Sequence, residues 1–101
     1  MATKIKPRAF DPAAYLDDDV TIAAYLDEAL ATRDTPQTVH AIGVVARARG
    51  MTDIAEQTGL SRESLYRALS EDGNPGFGTI VRVLATMGIR LSATAEENAP
   101  A

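Results

Sequence analysis

The sequence predicts an all-α fold: a compact domain of five helices, followed by a short C-terminal β-strand. Apolar residues recur at helical spacing in successive segments of the chain. Clusters rich in Gly, Pro and Asp separate these segments. The chain has 101 residues, of which 46% are hydrophobic and only 5% aromatic. We therefore expect one small domain with an aliphatic core.

The composition argues against several classes of protein. The chain contains no cysteine, which removes disulfides and thiolate chemistry. The first ten residues lack the apolar core of a signal peptide. No apolar stretch approaches the roughly 20 residues of a membrane span. We therefore expect a cytoplasmic protein with no membrane contact.

The net charge is −4, but the charges are unevenly distributed along the chain. Residues 1–34 carry a balance of −3 and residues 71–101 a balance of −2, whereas residues 35–70 carry +1. Acidic flanks weaken non-specific attraction to phosphates. They would suit a basic protein partner.

The first 16 residues form a basic, proline-containing arm that carries Phe10, Tyr15 and Leu16 towards its end. Two prolines and scattered apolar groups argue against one regular helix. Two interpretations stay open: the aromatic side chains pack on the core, or the arm binds a partner.

The first helix is predicted from an apolar repeat that follows Asp17-Asp18-Asp19. Carboxylates at a helix start complement the helix dipole. Three adjacent acids also resemble a metal site, but no spaced ligand or histidine accompanies them. Capping is therefore favoured, and we predict neither a metal nor a cofactor. The apolar repeat consists of Ile22, Tyr25, Leu26, Ala29 and Leu30.

The second helix is predicted to start at Thr35-Pro36, with Thr35 as N-cap and Pro36 at the first helical position. Gly50 ends it. His40 is the only histidine and has no catalytic partner at a recognisable spacing, so we interpret it as a structural or surface residue. The inward face consists of Val39, Ile42, Val45 and Ala46.

Residues 51–70, MTDIAEQTGLSRESLYRALS, are typical of a helix-turn-helix motif and supply the third and fourth helices. Ala55 is small where the two helices would cross, and Gly59 lies at the turn, where we expect a positive φ. Ser61 is the expected N-cap of the second motif helix. A generic αα-hairpin is the weaker interpretation of this pattern. The apolar faces consist of Ile54, Leu60, Leu65, Ala68 and Leu69.

The second motif helix carries the candidate DNA contacts. Arg62 and Arg67 can donate paired hydrogen bonds to guanine or bind phosphate, and plain surface charge is the alternative. Ser61 suits a phosphate at the helix N-terminus. Tyr66 suits a thymine methyl group or a phosphate. Glu63 can accept a hydrogen bond from cytosine. We favour the other interpretation, an ion pair between Glu63 and Arg67 four residues later.

The chain beyond the motif predicts one more helix and a strand. A breaker cluster from Glu71 to Gly76 precedes the helix, which ends at Gly88.

Residues 89–94 then alternate between apolar and polar, which predicts a short strand. One strand alone cannot satisfy its backbone hydrogen bonds, so we expect it to pair with the same strand of a second subunit. Residues 95–101 are expected to form a disordered tail. The helix repeat consists of Phe77, Ile80, Val81, Leu84 and Met87, and the dimerisation residues are Ile89, Leu91 and Ala93.

The chain resembles the addiction-module antidote proteins, which are similar to HigA-type and Xre-like helix-turn-helix proteins. The segments that carry the resemblance are FDPAAYLDDDVTIAAYLDEAL at 10–30 and ARARGMTDIAEQTGLSRESLYRALSEDGNPGFGTIVRVLATMGIRL at 46–91. The stretch GLSRESLYRALSEDGNP is especially distinctive. The resemblance implies a lambda-repressor-like domain over residues 17–94, usually dimeric. It also implies a protein that binds operator DNA, represses its own operon and neutralises a toxin of the RelE/ParE superfamily.

The predicted function is thus that of a type II antitoxin. The alternatives are a transcriptional regulator without a toxin, and a protein-interaction module whose helix-turn-helix only packs. The acidic helix from Asp17 to Asp34 and the arm before it are the candidate toxin surface. We do not expect an enzyme, because the chain has no cysteine and no phosphate-binding glycine loop, and Ser61 and Ser64 lack a base partner.

Overall fold

The computed structural model describes residues 18–70 and 72–96, and five helices account for most of them. The predicted all-α, five-helix architecture is confirmed. The predictions for residues 1–16 and for residues 97–101 lie outside the described residues. The helices are α1 (Asp19–Ala31), α2 (Thr35–Arg49), α3 (Met51–Thr58), α4 (Arg62–Ala68) and α5 (Phe77–Thr86).

Helices α1 and α2 pack against each other as an antiparallel pair. Near the start of α2, the Thr38 hydroxyl donates a hydrogen bond to the carbonyl oxygen of Ala29, near the end of α1, at 3.2 Å. At the other end of the pair, the Arg49 guanidinium lies 3.2 Å from the carboxylate of Asp19. The two contacts hold both ends of the pair in register.

Side-chain caps decide where these two helices begin. The carboxylate of Asp18 accepts a hydrogen bond from the backbone N–H of Thr21 at 2.8 Å, and this bond lowers the pKa of Asp18. The sequence predicts Thr35 as the cap of α2, but the cap is Asp34. The carboxylate of Asp34 accepts a hydrogen bond from the backbone N–H of Gln37 at 3.0 Å. A carboxylate complements the partial positive charge of these amides better than a hydroxyl does. Helix α2 therefore starts one residue earlier than predicted.

The core is aliphatic, as the composition predicts. Ile22, Val45, Leu65 and Val83 come from four different helices and have almost no exposed surface. Within the described residues, every buried side-chain nitrogen or oxygen has a hydrogen-bond partner. No unsatisfied polar side-chain atom therefore offsets the hydrophobic gain there. The rest of this core includes Leu26, Ile42, Ile54, Leu69, Leu84 and Met87.

The predicted C-terminal strand is absent from the described residues, where residues 89–96 adopt no regular secondary structure. The apolar and polar alternation has a different cause. Ile89 and Leu91 are half-buried against the helical core, whereas Arg90 and Ser92 are exposed. Ala93 is also exposed. A strand needs a neighbouring strand for its hydrogen bonds, and residues 18–70 and 72–96 contain none.

Helix α2 comes very close to the end of α4 at Gly43. Gly43 is buried in the middle of α2. A Cβ at this position would lie 2.7 Å from the backbone carbonyl oxygen of Leu69, the residue that follows α4. Backbone cannot move aside as a flexible side chain can, so only glycine permits this approach. The contact sets the position of α4 relative to α2.

We expect Gly43→Ala to lower the free energy of unfolding by about 1–2 kcal/mol. The clash with the Leu69 carbonyl costs about 1–3 kcal/mol, which outweighs the gain in helix propensity. The control is Gly78→Ala in α5, where a Cβ would meet open space. This variant should be neutral or raise stability by up to about 1 kcal/mol. Urea unfolding followed by circular dichroism measures both, and two stabilised variants would contradict the close approach.

Candidate nucleic-acid interface

Helices α3 and α4 form a short packed pair joined by a three-residue turn. Ala55 is buried in α3. Gly59 has a φ of 80°, and its N–H donates to the carbonyl of Ala55 at 3.0 Å. This left-handed conformation suits glycine, because a Cβ would strain it. The turn thereby ends α3 and redirects the chain into α4.

Ser61 is the N-cap of α4. Its Oγ accepts a hydrogen bond from the backbone N–H of Ser64 at 3.0 Å and donates one to the Oγ of Ser64 at 2.9 Å. The chain itself therefore uses the donor and an acceptor site of the Ser61 hydroxyl. Ser64 thus takes part in the cap through both its backbone N–H and its hydroxyl, a role that sequence reasoning missed. The cap hydrogen bonds are needed to see this, since the pattern alone does not assign donors.

The outer face of α4 carries four exposed side chains, while Leu65 on the opposite side is fully buried. The Arg62 guanidinium carbon lies 5.8 Å from the centre of the Tyr66 ring. A cation–π contact of this kind contributes about 0.5–1 kcal/mol at an exposed site. It favours an orientation of Arg62 along the helix surface. The four side chains are Arg62, Glu63, Tyr66 and Arg67.

Arg67 forms an ion pair with Glu63 at an N–O distance of 3.8 Å. The Arg67 and Glu63 side chains are 71% and 86% exposed, so water screens the attraction strongly. Such a pair contributes only a few tenths of a kcal/mol. A phosphate or base could replace Glu63 at little cost. The ion pair that the sequence favoured for Glu63 is present.

Arg47 adds a third basic group near α4. Its guanidinium lies 3.3 Å from the place that a Cβ on Gly43 would occupy, and the Leu69 carbonyl oxygen lies 2.7 Å from the same place. Arg47 therefore lies beside the C-terminal end of α4, where backbone carbonyls attract a cation. The sequence pattern around Arg47 does not indicate a binding role for this residue. Its proximity to α4 depends on how α2 and α4 pack, which local patterns do not reveal.

The other candidate residues have structural explanations. Asp18 caps α1 and Asp19 pairs with Arg49, which accounts for two of the three adjacent acids. Asp17 lies outside the described residues. In residues 18–70 and 72–96, no group of histidine and carboxylate side chains has the spacing of a metal site. His40 is exposed on α2. None of the helices in this part of the chain is long and apolar enough to span a bilayer.

The fold and the site together define a small helical domain that presents one short, capped helix with two exposed arginines. A family model described as "Probable addiction module antidote protein" matches residues 6–95. The chain therefore belongs to the addiction-module antidote family. The predicted family is confirmed, and the HigA-type branch stays a prediction.

The chain is 41% identical over 81 residues to an uncharacterized protein of Haemophilus influenzae strain Rd. This match covers 80% of the chain and 84% of the relative. No solved structure matches the chain.

Two substitutions at Ser61 test its capping role. We expect Ser61→Ala to lower the free energy of unfolding by about 1 kcal/mol, because the Ser64 N–H loses its acceptor. Ser61→Asp keeps a cap acceptor and should leave stability within about 0.5 kcal/mol. Thermal unfolding followed by far-ultraviolet circular dichroism measures both. Equal losses in the two variants would contradict the cap.

Proposed function

We propose that this chain is the antitoxin of a type II toxin–antitoxin module. It binds operator DNA through α3 and α4, represses its own operon and neutralises a toxin of the RelE/ParE superfamily. Membership of the antidote family supports the antitoxin role. The DNA-binding part rests on one observation, the exposed face of α4 with Arg62, Tyr66 and Arg67.

In this proposal α4 is the recognition helix and lies in the major groove. Arg62 and Arg67 donate hydrogen bonds to base edges. Each bidentate contact with guanine provides about 1–3 kcal/mol of discrimination against the wrong base. Arg47, beside the other end of α4, binds a backbone phosphate. Phosphate contacts position a protein on DNA without specifying sequence. The Glu63 carboxylate releases Arg67 on binding, since their ion pair is weak.

The net charge of −4 limits non-specific attraction to DNA. Each phosphate that a protein neutralises adds about 0.9 to the slope of log affinity against log salt. With few basic groups near α4, we expect a shallow slope. Affinity then depends on base contacts and on two copies binding one operator, with recognition helices roughly 34 Å apart. A homodimer is therefore part of the proposal.

Removing either arginine of α4 should weaken selective binding. We expect Arg62→Ala and Arg67→Ala each to weaken binding to DNA from upstream of the gene by about 1–3 kcal/mol. Each variant should also have a smaller difference in affinity between this DNA and random DNA. Fluorescence anisotropy at several salt concentrations measures this. The matched control is Arg82→Ala, which removes the same charge from the exposed side of α5.

The control outcome separates two functions. The alternative function is a protein-interaction module whose helix-turn-helix only packs within the fold. The negative net charge favours this alternative. Binding that is equal on both DNAs and unchanged by the Arg62 and Arg67 variants would support that alternative. If Arg82→Ala reduced affinity as much as the α4 variants, non-specific charge would explain the binding.

The toxin is proposed to bind the acidic outer side of α1, where Glu28 is exposed. A negative surface complements a basic toxin and speeds association. We expect Glu28→Lys to weaken toxin binding about tenfold, mainly through slower association. Glu56→Lys on α3 makes the same charge change elsewhere and should have little effect. Surface plasmon resonance with the purified toxin measures both, and equal effects would contradict the assignment to α1.

A further inference from the structure

An apolar groove lies on the face formed by α1, α2, α5 and residues 89–92. Its volume is about 760 Å³. Among the described residues, none from α3 or α4 lines it. The groove is therefore separate from the outer face of α4. Its lining is mainly aliphatic and aromatic and includes Leu26, Leu30, Phe77, Ile80, Leu84 and Leu91.

Phe77 stands at the rim of this groove and is 74% exposed. Phe77 and Leu84 belong to the same helical apolar repeat, but Leu84 is buried. Phe77 is the first residue of α5 and projects beyond the core. Leu30 lines the same groove and is 45% exposed. An exposed aromatic beside an apolar concavity is typical of a protein contact surface, because water contact with such a patch is unfavourable.

We propose that a second copy of this chain covers the groove, with Phe77 of each copy inserted into the groove of the other. A two-fold interface needs one surface that both projects and receives. Phe77 and the groove adjoin on one face, which meets this requirement. The lining also includes Asp27 and Arg90, so opposite charges can face each other twice across the axis.

The exposed area of Phe77 is also large enough to matter in a two-fold interface. A phenylalanine that is 74% exposed offers roughly 150 Å² for burial. A standard interface takes roughly 800 Å² from each partner, so one side chain supplies about a fifth of that area. Among the large hydrophobic side chains of the described residues, only Phe77 and Val20 are more than half exposed, and Phe77 is the larger of the two.

This inference rests on the homodimer of the proposed function and gives it a different interface. Ile89 and Leu91, which the sequence assigned to strand pairing, line the groove. They contribute apolar surface to the dimer instead of backbone hydrogen bonds. Helix α4 stays open in both copies, so the dimer can bind DNA.

Sedimentation equilibrium of the full chain without DNA tests the interface. We expect Phe77→Ser to raise the dimer dissociation constant on the order of thirtyfold, as for a central aromatic residue of an interface. The control is Val20→Ser, because Val20 is 80% exposed but does not line the groove. It should change the constant by no more than about twofold. Circular dichroism establishes that both variants fold.

Cross-linking provides a second readout, since the natural chain has no cysteine. A copy with Phe77→Cys is mixed with copies carrying Leu30→Cys or Leu91→Cys under oxidising conditions. A disulfide needs Cα atoms within about 7 Å, so we expect it to form between copies with at least one of the two. Val20→Cys in place of Phe77→Cys should form none.

Three outcomes would overturn the proposal. The first is a wild-type chain that stays monomeric at every concentration. The second is a dimer that Phe77→Ser leaves intact. The third is a monomeric chain in which Phe77→Ser abolishes toxin binding, which would assign the groove to the toxin. The first two outcomes are read from the oligomeric state and the third from toxin binding, whereas DNA binding is read from the Arg62 and Arg67 variants, so the two proposals can fail separately.

Discussion

The arrangement of the domain depends on the close approach of α2 to the end of α4 at Gly43. A Cβ there would lie 2.7 Å from the Leu69 carbonyl, so any larger residue would push the two helices apart. With α4 at this distance, Leu65 and Leu69 reach the core and become almost fully buried. The same contact brings Arg47 beside the end of α4. The absence of a side chain at Gly43 thus permits both the close approach of α4 and the position of Arg47 beside it.

The interactions on the two sides of α4 differ strongly in the free energy that they contribute. Burying one leucine contributes about 1.5–3 kcal/mol, whereas the cation–π contact of Arg62 contributes about 0.5–1 kcal/mol and the Glu63–Arg67 pair only a few tenths. The helix is therefore held from its inner side. Its outer side chains can change partners without disturbing the fold, which is what a binding surface requires.

An antidote that also represses transcription needs separate surfaces for DNA, for its toxin and for a second copy. The described residues offer three such regions on different elements: the outer face of α4, the acidic side of α1, and the groove between α1, α2, α5 and residues 89–92. The groove shares α1 with the acidic side, so the proposed toxin contact and the proposed dimer contact would lie next to each other there. The proposed DNA contact is on α4, which the groove does not include.

The sequence by itself determined the features that depend on residues within about four positions of each other. These include the five helices, the turn at Gly59 and the cap at Ser61, because backbone hydrogen bonds and caps are local. Even here, Asp34 displaced Thr35 as the cap of α2, since two adjacent residues can compete for the same amides. Only the tertiary structure decided that residues 89–92 pack on helices instead of forming a strand, that Phe77 is exposed, and that Arg47 lies beside α4. An apolar repeat shows that a side chain needs a covering surface, but which surface covers it depends on residues far away in the chain.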